Sequence, residues 1–488
     1  MPRGRTKLIY NSSPGGIRGD LNPATIPDGE WRSSSNWLSR RGVGVPRPGY
    51  AQLGSTMASA DAIIGIHPIN PVSTSSVQYQ IQTATKSYWG VDGGSYTDIT
   101  GTWTTEQDHC RMVSYKSGGT TYVLRVSPLN AVDSSSSGQN NFANIAAAPA
   151  GYDITVVGPY VVVATATTSS DVQWNSANDI STWPSSNIIL TDEADATIAC
   201  RALNARSFAF YKRNSVHVAT LQAAKVAFQS ARVATVAGPT SPASLVDTPF
   251  GHFWLAHDGV IRSFDGARVR EVSTAVQAWF NSNALRDSSS RGCGAALMRD
   301  EPEIWWFVYS TGVVSNRAIC LNITTGKVTV HQLQHEIRSC SQAAYRSSLN
   351  LPQDHQLILG GSDGKLYLFG SNATLTDAGT AIPWNFEFGY RPLTDVEDRG
   401  KLDGVSSYFK KTSSSCTVTV SVTLSDGIDD SDTATTDTFD TNTAGNHLKT
   451  FRSLDPKKWI KLKYSGTQVV DDLEYRGSIV TAWERSMI

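Results

Sequence analysis

The segment from Gly360 to Gly364 carries the residue order Gly-Gly-Ser-Asp-Gly. This order matches the G-x-S-x-G pattern of hydrolases, in which a sharp turn from a strand into a helix presents the serine as a nucleophile. The residues that follow, Lys365 to Phe369, read Lys-Leu-Tyr-Leu-Phe, which is typical of a strand. We therefore interpret Ser362 as part of a turn between two strands, outside any catalytic site.

His331 and His335 have the spacing at which two imidazole rings on one helix can share a metal ion. The residues before them, Val328 to Val330, are β-branched and therefore indicate a strand. No third ligand is obvious in the sequence. We expect surface histidines at a strand end and no metal site.

Two groups of carboxylates have the residue types of a calcium or a glycosidase site. The four aspartates in the stretch 426–432 lack the fixed order and the distal glutamate of a calcium loop. Asp300, Glu301 and Glu303 surround Pro302 in an expected turn, and no opposing carboxylate can be placed across from them. The sequence therefore predicts no catalytic residue, no metal and no cofactor.

Charge and cysteine content exclude further classes of protein. The 488 residues include 42 basic and 43 acidic ones, so a surface that wraps duplex DNA throughout is not expected, although a local basic lining remains open. Six cysteines, no two of them closer than 20 residues, form no zinc or redox spacing and are expected to be reduced and mostly buried. No leader peptide and no membrane-spanning run is expected, which favours synthesis in a cytoplasm.

Residues 1–60 are rich in turn formers and predict an extended N-terminal arm. Trp31, Trp37 and Tyr50 are large anchors in this arm, and we expect them to pack on the folded body or to contact a neighbouring subunit. Arg40, Arg41 and Arg47 form a basic cluster that could contact the phosphates of a nucleic acid. The alternative for these arginines is a solvated arm.

Residues 61–372 repeat a phrase of strand, glycine-containing turn and strand at intervals of about 40 to 60 residues. Asp258-Gly259 and Asp363-Gly364 are two such turns. This spacing predicts a β-propeller-like domain with loop insertions, such as 128–150, but not its number of blades. One short helix is expected to begin after Ser273 or Thr274 and to include Val276, Trp279, Phe280 and Leu285.

Residues 373–488 alternate between apolar and polar side chains in several runs, for example Trp384 to Phe388 and Cys416 to Val422. This pattern predicts a C-terminal β-sandwich-like domain with a polar loop near 424–445. The predicted fold class is thus all-β: a propeller-like body, an N-terminal arm and a C-terminal β-rich domain.

Several stretches between about residues 15 and 270 resemble, in the same order, the tail nozzle proteins of short-tailed bacteriophages, also known as DNA-stabilisation or tail tubular proteins. The similar phrases are Pro14-Gly15-Gly16-Ile17 through Arg47-Pro48-Gly49-Tyr50, Val172 to Asp179 with Trp183, Phe208 to Val216, and Trp254 to Gly266. In the second of these phrases, where family members have a tyrosine or a similar residue, this chain has Trp174 and an extra Asn175.

The resemblance implies a structural virion protein, made in the bacterial host and located in the virion tail. Its expected partners are copies of itself in a ring, commonly of six, a head-to-tail adaptor, a tail fibre or tailspike, and the double-stranded DNA that passes through without sequence recognition. The resemblance makes the aromatic anchors possible contacts to a subunit or the adaptor, and the three arginines possible contacts to DNA in the channel. Two alternatives stay open: a glycan-binding or glycan-cleaving propeller, and a generic interaction propeller.

Overall fold

The computed structural model describes most of the chain. The described residues are 5–10, 16–18, 20–27, 30–69, 78–91, 94–136, 139–167, 171–193, 195–222, 227–282, 293–298, 301–308, 316–345, 354–370, 375–394, 399–428, 433–442, 446–449, 451, 456–468 and 473–485. Within these ranges almost all regular structure is β-strand, as predicted. The exceptions there are one α-helix, Gln277–Ser282, and one 3-10 turn, Pro242–Ser244.

The first five strands lie in the N-terminal segment. They are β1 (Arg5–Tyr10), β2 (Trp31–Ser35), β3 (Trp37–Arg40), β4 (Val43–Pro46) and β5 (Tyr50–Leu53). Four of them, β1, β2, β4 and β5, pair directly with a strand from the second half of the chain. Strand β3 is connected to such a strand through β4, with which it forms a hairpin.

Six sheets of four antiparallel strands follow in chain order within the described residues, and a seventh sheet has six strands, four of which form the last blade; we call these units blades 1 to 7. Blade 1 contains β6 (Ile63–Ile69), β7 (Gln78–Thr83), β8 (Ser87–Val91) and β9 (Tyr96–Asp98); blade 2 contains β10 (Arg111–Ser117), β11 (Thr120–Ser127), β12 (Asn130–Ser136) and β13 (Ala143–Asn144). Blade 3 contains β14 (Gly151–Val157), β15 (Tyr160–Thr165), β16 (Val172–Trp174) and β17 (Ile188–Ile189); blade 4 contains β18 (Thr197–Asn204), β19 (Ser207–Lys212), β20 (Val216–Gln222) and β21 (Ala227–Ala234).

The last three blades use the same order of strands. Blade 5 contains β22 (Leu245–Thr248), β23 (Gly251–Leu255), β24 (Ile261–Phe264) and β25 (Val269–Ser273); blade 6 contains β26 (Gly294–Met298), β27 (Glu303–Val308), β28 (Arg317–Asn322) and β29 (Val328–Gln332). Blade 7 contains β30 (Ile337–Tyr345), β31 (Asp354–Gly361) and β32 (Leu366–Phe369), and its fourth strand is β5 from the N-terminal segment.

The blades form a closed ring. Contacts between the first strands run from blade to blade, and β30 of blade 7 contacts β6 of blade 1. Strand β5 completes blade 7, with Tyr50 opposite Phe369 and Leu53 opposite Leu366. The body is therefore a seven-bladed propeller-like ring that a strand from the opposite end of the sequence closes.

The remaining strands form a β-sandwich, apart from a small hairpin of β33 (Thr376–Asp377) and β34 (Thr380–Ala381) at the edge of blade 7. They are β35 (Pro383–Phe388), β36 (Arg391–Pro392), β37 (Arg399–Phe409), β38 (Thr417–Ser425), β39 (Thr435–Asp440), β40 (Asn446–Lys449), β41 (Trp459–Thr467) and β42 (Tyr475–Arg485). One sheet has the order β3-β4-β42-β37-β40 and the other β2-β35-β41-β38-β39; β1 also pairs with β42, and β36 with β41.

This arrangement corrects the expected arm at 1–60. Strands β1 to β4 are integral parts of the two sandwich sheets, and β5 is part of the propeller. The physical reason is burial: Trp31 and Trp37 are fully buried in the sandwich core, which the C-terminal strands alone would leave open. The sandwich therefore combines both ends of the sequence. The predicted domain boundary at 372/373 separates only its C-terminal strands from the propeller, because β1 to β4 come before the propeller in the sequence.

The alternating apolar residues of the C-terminal strands lie on one buried face, as predicted. Val418, Val420 and Val422 all point into the sandwich core, as do Trp384 and Phe386. A period of two places such residues on one face of a sheet, where their burial drives the packing of the two sheets.

The local motifs have mixed outcomes. The Gly360–Gly364 segment is a strand-to-strand turn, as interpreted, because β31 ends at Gly361 and β32 begins at Leu366. The helix Gln277–Ser282 overlaps the expected one and buries Phe280, but Val276 precedes it and Leu285 lies outside the described residues. The expected loop at 128–150 is wrong in part, since it contains β12 and β13.

The prediction of surface histidines at 331 and 335 is wrong for His331. Its side chain is fully buried and its ring lies 4.8 Å from that of Trp305. Burial, followed by the nearby charges of Arg47 and Arg40, holds the pKa of His331 well below its usual value. A neutral ring in this position packs as part of the blade 6 core.

Candidate functional site

Arg47 joins three parts of the fold. Its guanidinium donates to both carboxylate oxygens of Asp377, at 2.8 and 2.5 Å, and to the carbonyl oxygen of Gln332 at 2.8 Å. Its Nε donates to the amide oxygen of Asn36 at 2.8 Å. The side chain is completely buried, so the expected contact between Arg47 and DNA phosphates is not available in this chain.

Arg40 is also engaged within the chain. It forms two hydrogen bonds of 2.8 Å with the carboxylate of Glu303, whose side chain is 1% exposed. Burial alone would lower the pKa of Arg40, but the charge and hydrogen bonds of Glu303 outweigh it and raise the pKa. This pair holds strand β3 of the sandwich against blade 6. Glu303 is thereby unavailable for glycoside chemistry.

Arg41 is the exposed member of the arginine cluster. Its side chain is 81% exposed and pairs with Glu301 at 2.8 Å. An exposed pair of this kind contributes little to stability. Of the three arginines proposed from sequence as phosphate contacts, Arg41 alone has a largely solvent-accessible guanidinium.

The three aromatic anchors lie inside the chain's own cores. The ring of Trp37 lies 4.5 Å from that of Trp384, and the ring of Trp31 lies 5.7 Å from that of Phe386. The hydroxyl of Tyr50 accepts a hydrogen bond of 3.0 Å from the backbone amide of His335. All three side chains have no exposed surface, so they pin the N-terminal segment to this chain rather than to a subunit or adaptor.

A chain of charges of alternating sign crosses four neighbouring blades at their first strands. Arg111 of blade 2 lies 3.8 Å from Asp153 of blade 3, which forms an ion pair with Arg201 of blade 4. Arg201 in turn lies 3.7 Å from Asp247 of blade 5. We call these four residues the inner charge chain. Its cross-blade pairs connect the four blades around the propeller axis.

Burial differs along the inner charge chain. Asp153 and Arg201 have side chains that are 0% and 2% exposed, whereas Arg111 and Asp247 are 35% and 57% exposed. Burial raises the pKa of Asp153 despite the opposing charges of Arg201 and Arg111. Burial and the like charge of Arg201 lower the pKa of Arg111. The two ends of the chain can therefore meet solvent, while its centre is a structural clamp.

No activated thiol accompanies these charges. Cys200 lies beside Arg201, yet burial raises its pKa well above the usual value, which keeps the thiol protonated and unreactive. All six cysteines are free, and five of them are buried, as predicted. In the described ranges no group of three or more histidine, cysteine or acidic side chains could hold a metal ion.

Blades 3 and 4 are locked together by a buried lysine. The ammonium of Lys212 donates to Asp171 at 3.0 Å, to the hydroxyl of Thr191 at 2.7 Å and to the carbonyl of Glu193 at 2.7 Å. Burial raises the pKa of Asp171, but hydrogen bonds from Thr191, Lys212 and Thr197 outweigh it and hold the pKa below its usual value. Lys212 lies in the stretch Phe208 to Val216, and its role here is structural.

Asn175 has a similar structural role in blade 3. Its side-chain oxygen accepts from the amide of Val161 at 2.6 Å, and its side-chain nitrogen donates to the carbonyl of Asp179 at 2.8 Å. The side chain is completely buried. The stretch Val172 to Asp179 thus contains a buried polar group that stabilises the shape of the blade.

A cleft of about 390 Å³ lies between blades 3 and 4 and extends from their first strands outward. Its lining includes exposed Leu190 and the acidic residues Asp192, Glu193 and Asp195. We call it the blade 3–4 cleft. Arg232 of strand β21 pairs with Glu193 at 3.1 Å, so the cleft adjoins the outer edge of blade 4.

Sequence reasoning missed the inner charge chain, although a signal was present. Charged residues at 111, 153, 201 and 247 alternate in sign and are 42, 48 and 46 residues apart, which is close to one blade. A search for charges at the blade period would have found them. The partner of Arg47 carried no such signal, because Asp377 lies 330 residues away.

The comparisons with known proteins show propeller-like neighbours at low similarity. No family model matches this chain, and no curated protein matches it. The structure of BBS1N in complex with ARL6DN has a TM-score of 0.42 and 11% identity, covering 67% of this chain and 99% of that chain. Saccharomyces cerevisiae Sqt1 has a TM-score of 0.38 and 12% identity, covering 69% and 99%.

YCF48 bound to D1 peptide has a TM-score of 0.40 and 12% identity, covering 67% of this chain and 97% of that chain. All three TM-scores are below 0.5. The propeller-like architecture therefore rests on the pairing of the strands and the closure of the ring, not on these neighbours. In the part of the chain that the structure describes, no helix is long and apolar enough to cross a membrane.

Proposed function

We propose that this chain is a structural subunit of an oligomeric phage tail nozzle, located in the virion tail. The observation that carries the proposal is the position of the family-like phrases in the fold. The first phrase, ending at Arg47 and Tyr50, closes the propeller and ties it to the sandwich. Such a position suits a rigid wall unit, whose function depends on shape and assembly.

The ring, expected to contain six subunits, would surround the path of the ejected DNA. A nearly balanced charge of -1 supports passage rather than retention. Each phosphate that a basic wall neutralises releases counterions and strengthens binding, so a strongly basic lining would hold the DNA in place. The proposed partners are therefore the subunit itself, a head-to-tail adaptor, a tail fibre or tailspike, and DNA without sequence recognition.

The proposal assigns the chain no enzymatic activity. The described candidates for chemistry are engaged elsewhere: Ser362 lies in a hairpin turn, and Glu303 is paired with Arg40. These engagements support a structural role over glycan cleavage.

Imaging of the purified full chain by negative-stain electron microscopy tests the proposal. We expect ring-shaped particles with a central hole, alone or after addition of the adaptor protein from the same virus. Isolated discs the size of one propeller under both conditions would count against a nozzle. Binding of the purified chain to a glycan array is a second test, since specific binding would favour a glycan-binding or glycan-cleaving propeller.

A further inference from the structure

We propose that the subunits associate head to tail, by addition of strand β1 of one copy to the outer edge of strand β21 in the next copy. The inference rests on the proposed function, because it names the surface through which the ring would form. Each strand pairs with one neighbouring strand, and on its other side no second strand among the described residues pairs with it. Open edges pair readily with other strands, since half of their backbone groups point away from the existing sheet.

Strand β21 is the longest outermost strand of the propeller. It has eight residues, whereas the outermost strands of the other blades have two to five. It pairs with β20 on one side, and no backbone hydrogen bond between described residues extends from its other side. Strand β21 contains no proline or lysine; its charged residue is Arg232, and its register with β20 shifts once, at Val233.

The surroundings of β21 combine apolar and acidic side chains. Leu190, Ile188 and Val233 are 62%, 40% and 37% exposed, which is unusual for three large apolar residues at neighbouring outer strands. Beside them, the blade 3–4 cleft presents the exposed carboxylate of Asp192. A matching strand should therefore carry apolar and basic side chains.

Strand β1 has this composition. Its sequence, Arg-Thr-Lys-Leu-Ile-Tyr, contains two basic residues and no acidic one. Ile9 is 57% exposed, and Lys7 is exposed on the same face, two residues away. One edge of β1 pairs with β42, and no backbone hydrogen bond between described residues uses the other edge. Charge and apolar surface thus complement those around β21.

The two edges lie on different parts of the subunit. Strand β1 belongs to the sandwich, which contacts the propeller at blade 6, whereas β21 is the rim of blade 4. Joining different surfaces of identical copies gives a heterologous contact, which closes into a ring when the rotation between copies permits it. The occupant of the β21 edge is therefore a second copy of this chain.

The test uses two full-length variants, each with one edge disabled. Ile9→Asp with Lys7→Glu disables β1, and Leu190→Lys with Val233→Lys disables the β21 surface. We expect each variant alone to be monomeric by mass photometry at concentrations at least tenfold above those at which the wild type assembles. A 1:1 mixture should form dimers and stop there, because each copy retains one intact edge.

Leu129→Lys is the matched control, because Leu129 is also 62% exposed but lies in the turn between β11 and β12 of blade 2. It should assemble like the wild type. A charge exchange provides a second measurement: Lys7→Glu and Asp192→Lys should each weaken assembly, and their combination in one chain should restore it. Circular dichroism at 25 °C checks that all variants are folded.

The outcomes separate this interface from the proposed function. Intact rings in both edge variants, or loss of rings in the Leu129→Lys control as well, would overturn the β1–β21 contact and leave the nozzle proposal standing. A wild type that forms no oligomer, with or without the adaptor, would overturn both. Dimers in either variant alone would indicate a symmetric contact and would also overturn the head-to-tail arrangement.

Discussion

Arg47 and Asp377 lie 330 residues apart in the sequence and form a doubly hydrogen-bonded ion pair, at 2.8 and 2.5 Å, in which neither side chain is more than 5% exposed. The pair connects the N-terminal segment to the hairpin that follows blade 7. It lies between β4 of the sandwich and β5 of the propeller, so it fixes the point at which the chain passes from one domain to the other.

Replacement of Arg47 by methionine should destabilise the protein by about 3–5 kcal/mol, because the Asp377 carboxylate would remain buried without its cation. Urea unfolding followed by tryptophan fluorescence measures the change in the free energy of unfolding. Arg41→Met is the matched control, since Arg41 is 81% exposed, and its effect should stay within about 0.5 kcal/mol. Equal effects of the two substitutions would contradict the assigned role of the buried pair.

Lys212→Met should loosen the contact between blades 3 and 4 and cost about 2–3 kcal/mol. The pKa of Asp171 is held below its usual 3.8, so this carboxylate contributes stability that is present above pH 4 and is lost as the pH falls through the lower folded-state pKa. The difference in the free energy of unfolding between wild type and variant should therefore have its full size at pH 6 and become smaller below pH 4. Guanidinium unfolding at pH 3 and 6 measures it, and a difference that grows in acid would contradict the prediction.

His109 should make the protein less stable in mild acid. Burial, followed by the charges of Arg111 and Arg201, lowers the pKa of His109 from 6.5 to about 3. The unfolded chain therefore takes up this proton first, and the free energy of unfolding falls as the pH drops below 6.5, by about 2 kcal/mol at pH 5. In His109→Gln the free energy of unfolding should lack this contribution to its fall between pH 6.5 and pH 5. An unchanged slope in the variant would show that His109 is not the group responsible.

Deletion of residues 1–49 should unfold the sandwich rather than merely weaken assembly. The deletion removes β1 to β4 and exposes the core around Trp384 and Phe386, which loses the packing of Trp31 and Trp37. Limited proteolysis should then cut within residues 383–485 at least tenfold faster than in the full chain. Addition of a peptide of residues 1–49 tests whether the lost protease resistance can be restored. A truncated protein with native protease resistance would mean that these strands are dispensable.

Sequence patterns predicted the parts of the fold that depend on local chemistry. Val418, Val420 and Val422 alternate with polar residues, and a period of two places such residues on one face of a strand in any sheet. The turn at Gly360–Gly364 followed from the strand-like residues on both sides of it. These features depend on neighbours within a few positions, so they can be read directly from the chain.

The candidate site was harder to predict, because its contacts join distant positions. Arg40, Arg41 and Arg47 look alike in sequence, yet Arg47 is buried, Arg40 is paired with Glu303, and Arg41 is exposed. The exposure of a charged side chain depends on whether a partner lies opposite it after folding. Sequence alone offered no means to identify Asp377 or Glu303 as those partners.

By itself, the sequence determined that this protein is all-β, built from repeated hairpins, and without a recognisable catalytic or metal motif. Tertiary structure alone decided that the expected arm consists of sandwich strands and of the strand that closes the seven-bladed ring. The physical reason is that strand pairing and burial are long-range. An isolated segment such as 1–60 can neither pair its backbone hydrogen-bonding groups nor bury its tryptophan side chains. Both requirements are met only when the two ends of the chain come together.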